Sequence, residues 1–172
     1  MLCRLSSDRE SIMPSTRVHW FFVSIVFAGA LHAQEPAKRP AIEAFAKGVQ
    51  IYACTPSHGS FAWVLKAPEA SLSDARGHVF GKHFAGPSWQ AEDGSVVVGE
   101  ALNLSPSPDA GSIAWLVLHA KSHTGAGEMA SVQYVVRTRT EGGVAPAMGC
   151  DAVHAGTEVR VPYSAVYLFF RG

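Results

Sequence analysis

Apolar and polar positions alternate with a period of two along most of this chain. Glycine, proline and aspartate clusters break the alternation at roughly the 8–12-residue spacing of short paired strands. Residues 49–54 (VQIYAC) alternate, with Val49 and Ile51 on one face, and residues 61–66 (FAWVLK) form a second run between Gly59 and Pro68. Residues 71–80 read as a short strand pair around a turn at Asp74 to Gly77. Residues 95–104 (SVVVGEALNL) follow the turn signal Asp93-Gly94, and residues 113–120 (IAWLVLHA) are apolar on both faces. Residues 130–138 and 161–170 complete the set, and in the last run Tyr163, Ala165 and Tyr167 share one face. Residues 41–47 (AIEAFAK) read instead as two turns of helix, with Pro40 at the first position and Gly48 as the stop. The pattern therefore predicts an all-β fold. The expected architecture is an antiparallel β-sandwich with a short N-terminal helix, and a closed β-barrel is the alternative.

The N-terminal region departs from this rhythm. Residues 20–31 (WFFVSIVFAGAL) are an unbroken apolar run of 12 residues. That is the length of a signal-peptide core, and it falls short of the roughly 20 residues that span a bilayer. Arg17 precedes the run, and Ala33 before Gln34 fits cleavage after Ala33. Met13 is a second possible start, so residues 1–12 read as an extension. The expected organisation is residues 1–33 as extension and cleavable signal peptide, 34–47 as leader with the helix, and 48–172 as one β domain. The expected location is periplasmic or secreted, with no transmembrane anchor in the mature chain.

Export gives the cysteines a meaning. Cys3 leaves with the signal, and Cys54 and Cys150 remain as a pair in an oxidising compartment, where a disulfide is expected. Charge then narrows the partners. Fourteen basic and fourteen acidic residues are scattered without a basic stripe, which argues against nucleic acid. A 48% hydrophobic composition with 16% charged residues excludes a disordered chain.

Several local patterns suggest chemistry. Residues 125–130 (GAGEMA) spell G-x-G-x-x-A, but a dinucleotide site needs a helix to open there, and the next residues alternate like a strand. They read as a hairpin turn. His119 and His123 stand four apart, a zinc spacing on a helix, yet they lie at the end of a strand-like run. Residues 83–95 (HFAGPSWQAEDGS) gather an imidazole, two aromatic rings and two carboxylates in a Gly/Pro-shaped stretch. His83, Trp89, Asp93 and Tyr163 are the candidate ligand site. The same residues have an architectural reading, in which Trp89 fills the core and Asp93-Gly94 closes a hairpin.

Six strings occur in a suggestive order: residues 48–54 (GVQIYAC), 83–89 (HFAGPSW), 93–95 (DGS), 114–118 (AWLVL), 142–151 (GGVAPAMGCD) and 161–167 (VPYSAVY). Together they resemble a family of secreted bacterial and fungal proteins catalogued as domain of unknown function 3455. The resemblance runs from about Gly48 to the end. It departs at Ala114, where the family often has proline before the tryptophan. It implies one exported domain with Cys54 and Cys150 paired, and it brings no catalytic residues and no cofactor. The functional expectation is a non-catalytic domain that binds a small molecule or an envelope component. The alternative is a small exported, metal-assisted enzyme using His83 with Glu92 or Asp93.

Overall fold

A computed structural model describes residues 38–172 of the chain. The expected signal peptide and leader residues 34–37 lie outside the described residues. Eight strands follow one another: β1 (Ile42–Ser57), β2 (Ser60–Ser73), β3 (Val79–Phe84), β4 (Ser88–Ala91), β5 (Val96–Ser105), β6 (Trp115–Thr124), β7 (Val132–Gly142) and β8 (Glu158–Arg171). Each pairs antiparallel with the next, and β8 pairs back onto β1, so the sheet closes into an up-and-down barrel.

The all-β expectation holds, while closure replaces the sandwich. The physical reason lies in the first and last strands. β1 and β8 run side by side from Ile42 opposite Phe169 to Ala53 opposite Glu158. That pairing satisfies the backbone groups that a sandwich would leave on two sheet edges.

The expected helix over residues 41–47 is also corrected, because this stretch is the first half of β1. Alanine favours helix in isolation, but the β8 pairing overrides that weak preference. Ala44 faces Tyr167 and Ala46 faces Ala165, and both alanines are buried. Small side chains there leave room for the large rings of β8. Further along β1 the interior takes Gln50, Tyr52 and Cys54; Ile51 is also buried, whereas Val49 is only half-buried. Gly48 allows β1 and β2 to approach, since a Cβ there would stand 2.0 Å from the Glu69 carbonyl oxygen.

The barrel has two unlike ends. The β2–β3, β4–β5 and β6–β7 turns gather at one, which Met129 plugs with a fully buried side chain. The other carries the longer β5–β6 and β7–β8 connections. There the expected disulfide is present: Cys54 on β1 bonds Cys150 in the β7–β8 connection, with Cα atoms 5.3 Å apart. Backbone bonds from Cys54 N to the Thr157 carbonyl and from Gly156 N to the Cys54 carbonyl (each 2.9 Å) reinforce it. The Trp63 indole N–H donates to the Met148 carbonyl at 3.0 Å.

Candidate functional site

Adjacent strands place His83 and Trp89 directly opposite one another across the β3–β4 pair. Both are buried, at 3% and 1% exposure. Their rings stack nearly parallel, with centroids 4.8 Å apart. Tyr167 tilts against the imidazole at 5.0 Å and meets Trp89 edge-on at 5.4 Å, and Phe169 also meets Trp89 edge-on at 6.0 Å. These edge-to-face contacts suit the charge distribution of aromatic rings.

His83 is held in one tautomer. Its Nδ1 lies 2.9 Å from the Ser88 carbonyl oxygen, which can only accept, so Nδ1 carries the proton. Burial pushes the imidazole pKa down to about 4; the Arg137 charge pushes the same way, and the Ser88 carbonyl only partly opposes them. His83 is therefore neutral at neutral pH.

Arg137 explains its own reach. It pairs across β7–β8 with Tyr167, on the inward face that also carries Val135 and Phe169. Its Nε and Nη2 both donate to the Ala114 carbonyl, at 3.0 and 2.8 Å. Among the described residues no carboxylate pairs with it. The residue as a whole is half-buried. The charge acts on Tyr52, His83, Tyr163 and Tyr167 alike.

Tyr163 and Tyr167 are buried, and desolvation raises the pKa of both phenols far from the ionised form. The two hydroxyls lie close enough to influence one another, and Tyr167 is close to Arg137. Neither hydroxyl makes a hydrogen bond of ordinary geometry. Gln50 Oε1 and Trp89 Nε1 are likewise buried without a protein partner. Gly143 brings Gln50 and Tyr163 side by side: a Cβ on it would lie 2.8 Å from Tyr163 Cβ and 3.3 Å from Gln50 Cγ. Tyr52 differs, because its hydroxyl donates to the Gly143 carbonyl at 2.7 Å.

Asp93 belongs to the plugged end. Its Oδ1 accepts from the Ser95 amide at 2.8 Å and the Ser95 hydroxyl at 2.5 Å, and its Oδ2 accepts from the Glu128 amide at 2.8 Å. The Ser95 hydroxyl accepts from the Met129 amide at 3.0 Å. These bonds, the Ser95 hydroxyl first, hold the carboxyl below its ordinary pKa. They also explain the second glycine of the G-x-G string. A Cβ on Gly127 would lie 2.1 Å from Asp93 Oδ2, so the turn needs a bare backbone there.

Of the four candidate residues, the structure thus brings His83 and Trp89 into contact and stands Tyr163 beside Tyr167, next to the ring stack. Asp93 lies four residues beyond Trp89, in the turn between β4 and β5. Arg137, Gln50 and Tyr167 enter the cluster without having been singled out as site residues. The shared face of Tyr163 and Tyr167 was the one signal for them.

A family model matches residues 35–171, which include the whole barrel. The chain belongs to the family described as Protein of unknown function (DUF3455). No curated protein and no solved structure matches it.

This DUF3455 barrel also has an open cleft of about 670 Å³ at the plugged end, with an apolar floor of Ile42, Phe80 and Ala91. Glu43, Asp74, Glu92, Asp93 and Glu128 line its rim. Three of these carboxylates are engaged inside the fold. Glu43 pairs with Arg139, Asp74 accepts the Arg76 and His78 amides at 2.8 and 3.0 Å, and Asp93 closes its turn. Among the described residues no group of three His, Cys, Asp or Glu side chains is arranged to hold a metal ion. No described helix is long and apolar enough to cross a membrane.

Proposed function

We propose that this DUF3455 domain is exported by a cleaved signal peptide and acts as a non-catalytic binding barrel. Its ligand site is the interior beside Arg137, lined by Tyr163, Tyr167, Gln50 and Trp89. One observation carries the reading: Gln50, Trp89, Tyr163 and Tyr167 each bury a side-chain polar atom that makes no hydrogen bond of ordinary geometry, although Tyr167 lies close to Tyr163 and Arg137. Each such group costs about 1–3 kcal/mol, and folded proteins keep few of them. A bound molecule that supplied the missing partners would recover that free energy. The 12-residue apolar run before Ala33 and the disulfide support export.

A catalytic reading has less support. His83 is neutral, its Nδ1 proton is engaged, and Trp89 and Tyr167 pack on its ring. Glu92 and Asp93 line the cleft at the plugged end. A second binding reading, attachment to an envelope surface, draws on Met148 and Val153, which stand 84% and 88% exposed on the disulfide-tied connection.

Non-denaturing mass spectrometry of the exported protein tests the main reading. A one-to-one small-molecule adduct that is lost in the Tyr163→Phe, Tyr167→Phe double variant supports it. A protein of bare mass whose spectrum is the same in that variant removes it. N-terminal sequencing is expected to begin at Gln34, and retention of residues 1–33 overturns export.

A further inference from the structure

We infer that the barrel mouth at the plugged end is a binding site for a small organic ammonium ion with an apolar body. It shares no residue with the interior site beside Arg137 and does not depend on it. The place is the open cleft of about 670 Å³, a size that suits a free small molecule, and barrel mouths are where such sites form. Four separate stretches build it. The start of β1 gives Ile42, β3 gives Phe80, the end of β4 and its turn give residues 91–93, and the β6–β7 turn gives Glu128. Backbone donors lock these stretches together: the Glu92 amide donates to the Phe80 carbonyl at 2.6 Å, and the Glu128 amide to Asp93 Oδ2 at 2.8 Å. Glu92 and Glu128 are thus carried on a frame that the fold itself holds in place.

Floor and charge together select the ligand. Ile42 and Phe80 pack against the core and still line the cleft, so part of each is left for an apolar partner. Five carboxylates line the cleft, and no lysine or arginine does. Arg139 compensates Glu43. The amides that Asp93 accepts are neutral groups, so they keep its carboxyl ionised and leave its charge in place. Among the described residues Glu92, Asp93 and Glu128 have no cation within ion-pair distance. Lys38 and Arg39, just before the cleft residue Ala41, pair with none of the five. Like charges held around an apolar floor focus a negative potential on it. A neutral apolar ligand would leave that potential unanswered. A metal ion would make no use of the floor, and these carboxylates are not grouped to hold one. An ammonium on an apolar body answers both.

Phenethylammonium and phenethyl alcohol, equal in size and different in charge, make the test, and methylammonium supplies the charge without the body. The ¹⁵N-labelled protein is titrated with each at constant pH and ionic strength, with sodium as the balancing cation. The backbone amides of Ala91, Glu92 and Glu128 are followed. The Trp63 indole, which donates to the Met148 carbonyl at the other end of the barrel, is the control. A saturable phenethylammonium shift with a midpoint of about a millimolar is expected, as suits a ligand of about nine heavy atoms. The alcohol and methylammonium should each require at least about tenfold more. Replacing both exposed carboxylates, Glu92→Gln with Glu128→Gln, should raise the phenethylammonium midpoint about fivefold or more. If that variant fails to fold, the comparison of the three probes carries the test. No saturable shift, an equal response to the alcohol or to methylammonium, or a midpoint unchanged in the double variant overturns the proposal. A trilysine peptide that binds more tightly than phenethylammonium overturns the small-molecule assignment in favour of a protein partner.

Discussion

At the plugged end of the barrel, Asp93 accepts three hydrogen bonds, Ser95 both donates and accepts, and Met129 seals the interior behind them. Beside Arg137, on the same inner surface, Tyr163, Tyr167, Trp89 and Gln50 each keep a buried polar atom without a protein partner. The first region is saturated by its own chain, and its polar residues are explained by the turn they close. The second is less completely saturated: its rings are explained by the stack they pack in, while their polar atoms make no hydrogen bond of ordinary geometry. Polar content alone did not separate them, since His83, Trp89 and Asp93 sit within eleven residues of sequence. Hydrogen-bond satisfaction did.

The largest effect should come from Trp89, the ring at the centre of the stack. Trp89→Ala should lower unfolding free energy by about 3–5 kcal/mol in urea denaturation, the range for a large core aromatic. A loss below 1 kcal/mol would mean that the stack is loose and the contrast between the two regions misplaced. Replacing Cys54 and Cys150 together by alanine should cost about 3–5 kcal/mol, because the bridge spans 96 residues of sequence. Its effect belongs to the looped end, so amide exchange should rise there first and leave residues 93–95 and 127–132 protected.

Acid should act through His83. Its pKa is about 4 folded and 6.5 unfolded, so between these values the unfolded chain takes up a proton that the folded chain does not. Stability contributed by neutral His83 is therefore complete above about pH 6.5 and lost as pH falls through 4, a decline of about 3 kcal/mol. His83→Phe should flatten that slope in pH-dependent denaturation, and an unchanged slope would assign it to the carboxylates. Asp93 acts in the same sense, since its depressed pKa gives stability that is lost as pH falls below the carboxylate range.

The smallest effects sharpen the comparison most. Ser95→Ala removes a satisfied hydroxyl and should cost about 1–2 kcal/mol. Tyr167→Phe removes an unsatisfied one and should be neutral, or stabilise by up to about 1 kcal/mol, when no ligand is present. Equal losses in the two variants would show that the Tyr167 hydroxyl has a partner within the fold.

Much of this outcome was legible in the chain. The alternation of β8, the Asp93-Gly94 turn, the hairpin reading of residues 125–130 and the paired cysteines all rest on local chemistry: strand period, turn residues and redox compartment. The misreadings share another cause. Residues 41–47 look helical because alanines mark them, and those alanines are small in order to face Tyr167 and Ala165, more than a hundred residues away. The four-residue strand β4 was hidden inside the loop-like stretch from His83 to Ser95, because its ladder partners are β3 and β5. Gln50 was missed since a polar residue at an inward position breaks the apolar pattern that marks a core face.

What the sequence determined by itself was the all-β class, the disulfide and the turns, each a short-range consequence of residue type. Whether the sheet closed, which small residues faced which rings, and which polar atoms found partners were decided only in the tertiary structure. Those outcomes depend on register between strands far apart in the chain. A one-residue slip would have turned Arg137 and Tyr167 outward, and no local property of either residue forbids it.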